Sequence, residues 1–218
     1  MKILSNLWQK IIDFCKDILA PEDFKIQNLI NLPEETMKEV LPKSPVYLKN
    51  VSVLFDYQNK IVRLIVKSIK YKNNQNLRKR IAKYFYEEIV EFLSESAIFY
   101  EKPPLLIPMP MTKKEKSERG FNQCEELCKE IKKLARENLE TSFNSLKKIR
   151  ETERQNKLSR QKRLDNVKGS MAADSSAVRG RICIVIDDVY TTGASFEEAR
   201  RALSSAGPRS IFGFFIAH

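Results

Sequence analysis

The sequence predicts an α/β fold built on a mostly parallel, twisted sheet flanked by helices. The clearest evidence is a strand–helix–strand unit: "RICIVID" (181–187) is β-branched, "SFEEARRALSSAG" (195–207) is helical, and "RSIFGFFIA" (209–217) is again strand-like. Such a succession predicts a right-handed crossover between neighbouring parallel strands. The hydrophobic content of 42% is sufficient for a buried core. A parallel sheet is therefore expected near the end of the printed sequence.

The first 50 residues predict a helical extension, and residues 51–218 the sheet domain. Apolar residues recur at helical spacing in "MKILSNLWQKIIDFCKDILA" (1–20). Because polar residues lie between them, the segment lacks the apolar core of a signal peptide. Two interpretations stay open for this helix: packing on its own domain, or docking to a partner or a membrane surface. No stretch of the chain reaches the roughly 18 apolar residues that a membrane span requires.

The other elements follow from local pattern in chain order. "VSVLFDY" (51–57) predicts a strand, "NKIVRLIVKSIK" (59–70) an amphipathic helix, and the residues near 76–93 a longer helix. "PPLLIPMPM" (103–111) predicts a strand that its prolines end abruptly. A helix that includes Cys124 and Leu134 comes next, and then a short strand near 143–149.

Charge and cysteine content narrow the class of protein. A formal net charge of +11 favours an anionic partner such as a nucleotide, a phosphate-rich substrate or a nucleic acid. The four cysteines form no C-x-x-C pair, so we expect no zinc site. Sparse, irregular cysteines indicate reduced thiols in a cytoplasmic protein. Cys124 and Cys128 would share a helix face, where plain packing is the expected role.

The segment "DDVYTTGAS" (187–195) lies where chemistry is expected, between a strand and the helix that follows it. In open α/β sheets ligands bind beyond the carboxyl ends of the strands. Hydroxyls and backbone N–H groups at a helix start suit a phosphate, and Asp187 and Asp188 can accept hydrogen bonds from sugar hydroxyls or help to hold a divalent cation. A plain helix cap would need fewer polar residues than this. The segment therefore indicates a sugar-phosphate site.

Two other enzyme classes do not fit this segment. A haloacid-dehalogenase-type phosphatase needs two acids separated by one residue, whereas Asp187 and Asp188 are adjacent. A Walker-A NTPase needs G-x-x-x-x-G-K-[ST], which does not occur in the chain.

"VIDDVYTTGAS" resembles the phosphoribosyl-pyrophosphate (PRPP) signature of type I phosphoribosyltransferases. The resemblance implies that fold, with the two aspartates on the ribose 2′- and 3′-hydroxyls and the T-T-G-x-S loop around the 5′-phosphate. Its expected PRPP contacts are Asp187, Asp188, Val189, Tyr190, Thr191, Thr192, Gly193, Ala194 and Ser195. Purine-salvage members commonly carry an acid at the position of Thr191, so its absence argues against purine salvage.

Two further blocks resemble the ComF branch of that superfamily, which is associated with DNA uptake in natural competence. The first is "LIPMPMTKKEKSERGFNQCEELCKEI", which begins at residue 106. In the family its P-x-P turn exposes backbone N–H groups to pyrophosphate, so Met109 and Arg119 are expected PRPP contacts. Arg119, Asn122 and Gln123 are expected to face pyrophosphate or a nucleic-acid backbone.

The second block, "IRETERQNKLSRQKRLDNVKGSM" (149–171), is strongly basic. In type I transferases the matching region is a loop that closes over PRPP and brings cations to the leaving pyrophosphate. The other interpretation is a basic helix that binds nucleic acid. Arg150, Gln155, Arg160 and Arg163 are the residues expected to act there. Arg160 and Arg163, together with Asp187 and Asp188, form the expected catalytic set.

The resemblance implies a protein that binds PRPP with Mg²⁺, with Asp187 and Asp188 as candidate metal ligands, and that is linked to DNA uptake. The alternative is a non-catalytic competence factor that binds single-stranded DNA or a helicase and retains the fold for binding. ComF-like proteins usually carry a four-cysteine zinc element near the N-terminus, and this sequence has no such set. The extension over 1–50 is therefore expected to be a degenerate or replaced form of that element.

Overall fold

The computed structural model of the chain describes residues 21–45, 48–95, 100–152 and 165–218. The chain divides into two compact units, Met1–Val40 and Leu41–His218. The first unit contains helices α1 (Glu22–Asn31) and α2 (Glu34–Val40). The helix predicted over 1–20, with Cys15, lies outside the described residues, and the predicted domain division at residue 50 stays a prediction.

The second unit alternates strands with helices along the chain. In chain order its elements are β1 (Val51–Phe55), α3 (Lys60–Tyr71), α4 (Gln75–Glu95), β2 (Leu105–Pro108), α5 (Lys113–Arg119), α6 (Gln123–Ala135), a 3₁₀ turn (Arg136–Asn138), β3 (Glu140–Thr141), β4 (Leu146–Lys148), β5 (Met171–Ala173), α7 (Ser175–Val178), β6 (Ile182–Val189), α8 (Ala194–Ser204) and β7 (Ser210–Ala217). Among the described residues, no helix is both long enough and apolar enough to cross a membrane.

Five of these strands form one sheet in the order β1-β7-β6-β2-β3, and every neighbouring pair is parallel. β6 and β7, joined through α8, pair along their whole length, as the sequence predicts. The short strand expected near 143–149 is β4, which pairs with β5 in a separate antiparallel ribbon. The predicted α/β fold, with a parallel sheet flanked by helices, is confirmed.

The central strand β6 is buried because both faces of the sheet are covered. All five residues of Ile182–Ile186 are at most 1% exposed, which is the continuous apolar run expected of an inner parallel strand. On one face, Val185 packs in a core cluster with Phe196 and Leu203 of α8. Helices α3, α4 and α6 also contact strands of this sheet.

The sheet brings two predicted site segments to one edge. β2 and β6 are parallel, and Pro108 at the end of β2 lies opposite Ile186, near the end of β6, so both carboxyl ends lie at the same edge of the sheet. The pairing extends one residue further, because the Met109 N–H donates to the Ile186 carbonyl at 2.9 Å. The turn after β2 and the turn after β6 therefore meet.

Candidate functional site

A cavity of about 750 Å³ lies at the edge where β2 and β6 end. Of the predicted PRPP contacts, Met109, Arg119, residues 187–191 and residues 193–195 line it. Gln123 also lines it, from the first residue of α6. The structure thus brings two separate sequence blocks to one cavity, although contact with PRPP itself stays a prediction.

The turn from β6 into α8 has the geometry expected of an anion cradle. Gly193 precedes the first residue of α8 with φ +77°, and its carbonyl accepts the Glu197 N–H at 2.8 Å. The Thr192 hydroxyl accepts the Ala194 N–H at 3.4 Å, so this threonine supports the turn. A helix N-terminus of this kind presents backbone N–H groups and a partial positive charge to the cavity.

Asp188 is held by donors from two other helices. Its Oδ2 accepts a hydrogen bond from Gln123 Nε2 at 2.7 Å and lies 3.1 Å from Lys70 Nζ. The residue is only 5% exposed, and both partners approach the same oxygen. Asp188 is therefore fixed in position by Gln123 and Lys70.

Asp187 leaves the strand on the opposite side of the backbone from Asp188, since successive side chains of a strand alternate. Its Oδ1 accepts the Asp188 N–H at 2.8 Å and the Cys124 thiol at 3.5 Å. Burial and then the charge of Asp188 raise the pKa of Asp187 to about 7, despite these donors and the more distant Lys70. The two adjacent acids consequently differ. Asp188 has an ion-pair partner in Lys70, whereas burial and the charge of Asp188 make the ionised form of Asp187 energetically costly.

Lys70 is a site residue that the sequence analysis did not single out. It lies in the last turn of α3, lines the cavity, and has a side chain that is 27% exposed. Burial opposes its charge, yet the carboxylates of Asp188 and Asp187 raise the pKa of Lys70 above its usual value. In the sequence, Lys70 is only the last residue of the predicted amphipathic helix over 59–70, and that pattern marks no site residue.

Arg119 and Gln123 connect the first ComF-like block to the carboxylates. Arg119 Nη1 donates to Gln123 Oε1 at 2.5 Å, and Gln123 in turn donates to Asp188. The Arg119 guanidinium also lies 5.4 Å from the centroid of the Tyr71 ring, a cation–π contact. Tyr71 is 63% exposed and lines the cavity, although the sequence analysis did not include it.

Asn122 has a structural role that the sequence did not predict. Its Oδ1 caps α6 by accepting the N–H groups of Cys124 at 2.9 Å and Glu125 at 3.4 Å, and its Nδ2 donates to the Met109 carbonyl at 3.0 Å. The residue is 1% exposed. Both ends of its amide therefore join α6 to the turn after β2, and the expectation that Asn122 faces pyrophosphate or a nucleic-acid backbone stays a prediction.

The turn after β2 uses some of its N–H groups within the protein. Pro108 and Pro110 have no N–H, the Met109 N–H donates to β6, and the Thr112 N–H donates to Glu115 Oε2 at 2.7 Å. Fewer N–H groups of this turn are therefore available to pyrophosphate than the resemblance implies, and their contact with pyrophosphate stays a prediction. Met109 lines the cavity, and its role as a PRPP contact stays a prediction through its other atoms.

The second ComF-like block is described only at its ends. Arg150 Nη2 donates to the carbonyls of Asn166 at 2.9 Å and Lys168 at 3.0 Å, so its guanidinium joins the two ends of the basic segment. Arg150 is expected to face pyrophosphate or nucleic acid, and beside these main-chain contacts that role stays a prediction. Gln155, Arg160 and Arg163 lie outside the described residues, so their predicted roles stay predictions.

The carboxylate pair suits hydroxyl groups better than a metal ion. Within the described ranges, no group of three or more His, Cys, Asp or Glu side chains is placed to hold a metal. The ammonium of Lys70 lies 3.1 Å from Asp188 Oδ2, and Mg²⁺ bound to that carboxylate would be repelled by it. Direct Mg²⁺ coordination by Asp187 and Asp188 therefore does not fit this site.

Comparison with known proteins gives relatives at about 25% identity. No family model matches the chain. It is 25% identical over 173 residues to DNA utilization protein YhgH of Salmonella typhimurium, covering 78% of this chain and 72% of that protein. It is 28% identical over 122 residues to competence protein ComFC of Bacillus subtilis, covering 55% and 46%. These relatives confirm the predicted resemblance to the ComF family.

The solved structures that match this chain include phosphoribosyltransferases. Hypoxanthine phosphoribosyltransferase of Trypanosoma cruzi, bound to IMP, matches at a TM-score of 0.40 and 12% identity over 65% of this chain. The match covers 64% of that enzyme, so this chain spans less than two thirds of its length. Hypoxanthine-guanine phosphoribosyltransferase of Leishmania donovani matches at a TM-score of 0.41 and 12% identity, covering 65% and 71%.

Proposed function

We propose that the second unit binds PRPP and uses it as a phosphoribosyl donor. The observation that carries this proposal is the way in which the two carboxylates are held. Protein donors take Oδ2 of Asp188 and Oδ1 of Asp187, and no described residue donates to the other oxygen of either group. Two acceptor oxygens are thus left for two adjacent hydroxyls, beside the N-terminus of α8. A ribose 5-phosphate has two adjacent hydroxyls for the two acceptor oxygens and a phosphate for the helix N-terminus.

The same cavity suits departure of pyrophosphate. In the proposed reaction the bond from C1 to the pyrophosphate oxygen breaks and its electron pair leaves with pyrophosphate, while a nucleophile of the acceptor bonds to C1. Lys114, Arg119 and Lys148 line the cavity and would stabilise the departing charge. Mg²⁺, held by pyrophosphate oxygens and water, would add to that neutralisation when it is bound.

PRPP with Mg²⁺ is expected to raise the melting temperature of the protein. At about 100 times its Kd the ligand adds about 2.7 kcal/mol, which corresponds to roughly 5–10 °C for a chain of this size. Isothermal titration calorimetry should give one site, lost in Asp187→Asn. Glu197→Gln, which removes an exposed acid of α8, should bind like the parent protein. No shift and no heat with PRPP and Mg²⁺ would refute the proposal.

A link to DNA is the second part of the proposal. It is supported by the names of the relatives, which refer to competence and DNA utilisation, and by the formal charge of +11. Tyr71 supplies an exposed ring beside Arg119, and such a ring can stack on an unpaired base. This contact favours single-stranded DNA as the alternative partner, with the fold retained for binding without transfer; a competence helicase is the other partner of that alternative.

We expect a fluorescent single-stranded oligonucleotide to bind in a salt-dependent manner, because phosphate contacts release counterions. Tyr71→Ala should weaken that binding roughly 5- to 100-fold through lost stacking. Tyr100→Ala, which removes a second partly exposed ring, is the matched control and should bind normally. Binding that is insensitive to salt and to Tyr71→Ala would remove the support for a DNA site here.

A further inference from the structure

Lys70 is the single cation within ion-pair distance of the carboxylate pair, among the residues that the structure describes. The other side chains that contact the pair are neutral: the amide of Gln123 and the thiol of Cys124. Lys70 reaches Asp188 from α3, and the residue before it, Ile69, is fully buried. The last turn of α3 is thereby packed in place, and the ammonium group is fixed beside Asp188.

The position of this ammonium determines what else can neutralise the acids. Two adjacent carboxylates repel each other, and a site of this kind can gain its positive charge from a bound metal or from the chain. Mg²⁺ binds oxygen ligands at about 2.0–2.1 Å and dehydrates reluctantly. With Lys70 already 3.1 Å from Asp188, the chain supplies that charge itself.

We infer that Lys70 acts as a built-in counter-ion of the ribose-binding carboxylates, so that a ribose 5-phosphate group binds here without a divalent cation. This inference rests on the proposed function. Mg²⁺ is then needed only to neutralise the pyrophosphate of PRPP. Lys70 is a positioning residue: it orients the carboxylate of Asp188 through the 3.1 Å ion pair, and Asp188 receives the hydroxyl.

We therefore expect two classes of ligand at this site: ligands that bind without a divalent cation, and ligands whose binding is strengthened by one. Ligands with a vicinal diol and a 5′-phosphate but no pyrophosphate, such as ribose 5-phosphate, should bind equally well with EDTA or with Mg²⁺. PRPP should bind more tightly when Mg²⁺ is present. Removal of Lys70 should make the first class of ligands dependent on metal as well, since only a metal could then offset the paired charges.

The test is titration calorimetry of ribose 5-phosphate with the full chain, in EDTA and in Mg²⁺. We expect Kd values within twofold of each other for the parent protein. Lys70→Met should bind at least tenfold more weakly in EDTA and recover in part with Mg²⁺. Lys67→Met removes an exposed charge one turn earlier on the same helix and should behave like the parent.

Each outcome decides between the two claims. If PRPP with Mg²⁺ binds the parent protein but ribose 5-phosphate binds only with Mg²⁺, the counter-ion inference fails and the proposed function stands. If Lys70→Met binds ribose 5-phosphate in EDTA as the parent does, the inference also fails. If neither ligand binds under any condition, the proposed function itself fails. Should Lys70→Met not fold, the comparison of EDTA with Mg²⁺ on the parent protein still decides the matter.

Discussion

Asp188→Asn is expected to abolish PRPP binding and to lower the free energy of unfolding by about 1–3 kcal/mol. The carboxylate is 5% exposed and carries both the 2.7 Å hydrogen bond from Gln123 and the 3.1 Å ion pair with Lys70. An amide of the same size leaves Lys70 with no anionic partner at this position, and it can offer only one oxygen. Urea denaturation gives the loss of stability, and calorimetry with PRPP and Mg²⁺ gives the loss of binding.

Asp187→Asn is the matched comparison, because it should lose PRPP binding but not stability. The pKa of Asp187 is raised from 3.8 to about 7, so the folded protein holds this proton more tightly than the unfolded chain. The corresponding stability is complete below pH 3.8 and is lost as the pH rises through about 7. Asp187→Asn should therefore melt higher than the parent at pH 8, and the difference should shrink toward pH 5.

The structure predicts that Asp188→Asn and Asp187→Asn differ in stability, whereas the sequence predicts no such difference. Both aspartates belong to one motif, and the resemblance gives both the same role. If Asp187→Asn and Asp188→Asn lose equal stability at pH 8, the description of one paired and one unpaired carboxylate is incorrect. The same melting curves, measured with and without PRPP, show whether the loss of binding is separate from the loss of stability.

The fold was largely predictable because its signals are local. Apolar periodicity predicts the strand "RICIVID" and the helix from residue 195. The length of the connection then predicts that the next strand, β7, is parallel to the first. β3 was not predicted, since its two residues, Glu140 and Thr141, are too few to show a pattern. The pairing of β4 with β5 joins residues far apart in sequence, which no local signal reports.

The site was only partly predictable because several of its residues act through tertiary contacts. Lys70 ends an ordinary amphipathic helix, and its role appears only when α3 places it against Asp188. Asn122 is a residue type that suits a phosphate contact and a helix cap equally well, and only the structure shows that it caps α6. By contrast, Asp187 near the end of β6 and Gly193 in the turn after it belong to one continuous motif, so the motif alone locates them.

Gly193→Ala is expected to damage both the phosphate turn and the stability of the protein. Gly193 has φ +77°, a conformation that an L-residue adopts at a cost of about 1–3 kcal/mol. A Cβ at this position would also lie 2.8 Å from Cζ of Tyr190, with the hydroxyl of that ring closer still. Tyr190 is packed edge-on to Phe215 at 4.9 Å, so either the ring or the turn must move.

Because the N–H groups around this turn are the proposed phosphate ligands, the displacement should weaken PRPP binding at least tenfold, as calorimetry can measure. Gly180→Ala is the control that introduces backbone strain without displacing a neighbouring side chain. Gly180 has φ +70°, and nothing lies within 4 Å of its Cβ position. That control should lose about 1 kcal/mol or more of stability through the backbone alone and keep its affinity for PRPP. Adding Tyr190→Phe to Gly193→Ala removes the closest atom and should restore part of the affinity. Equal affinity losses in Gly193→Ala and Gly180→Ala would show that general destabilisation, and not the phosphate turn, controls binding.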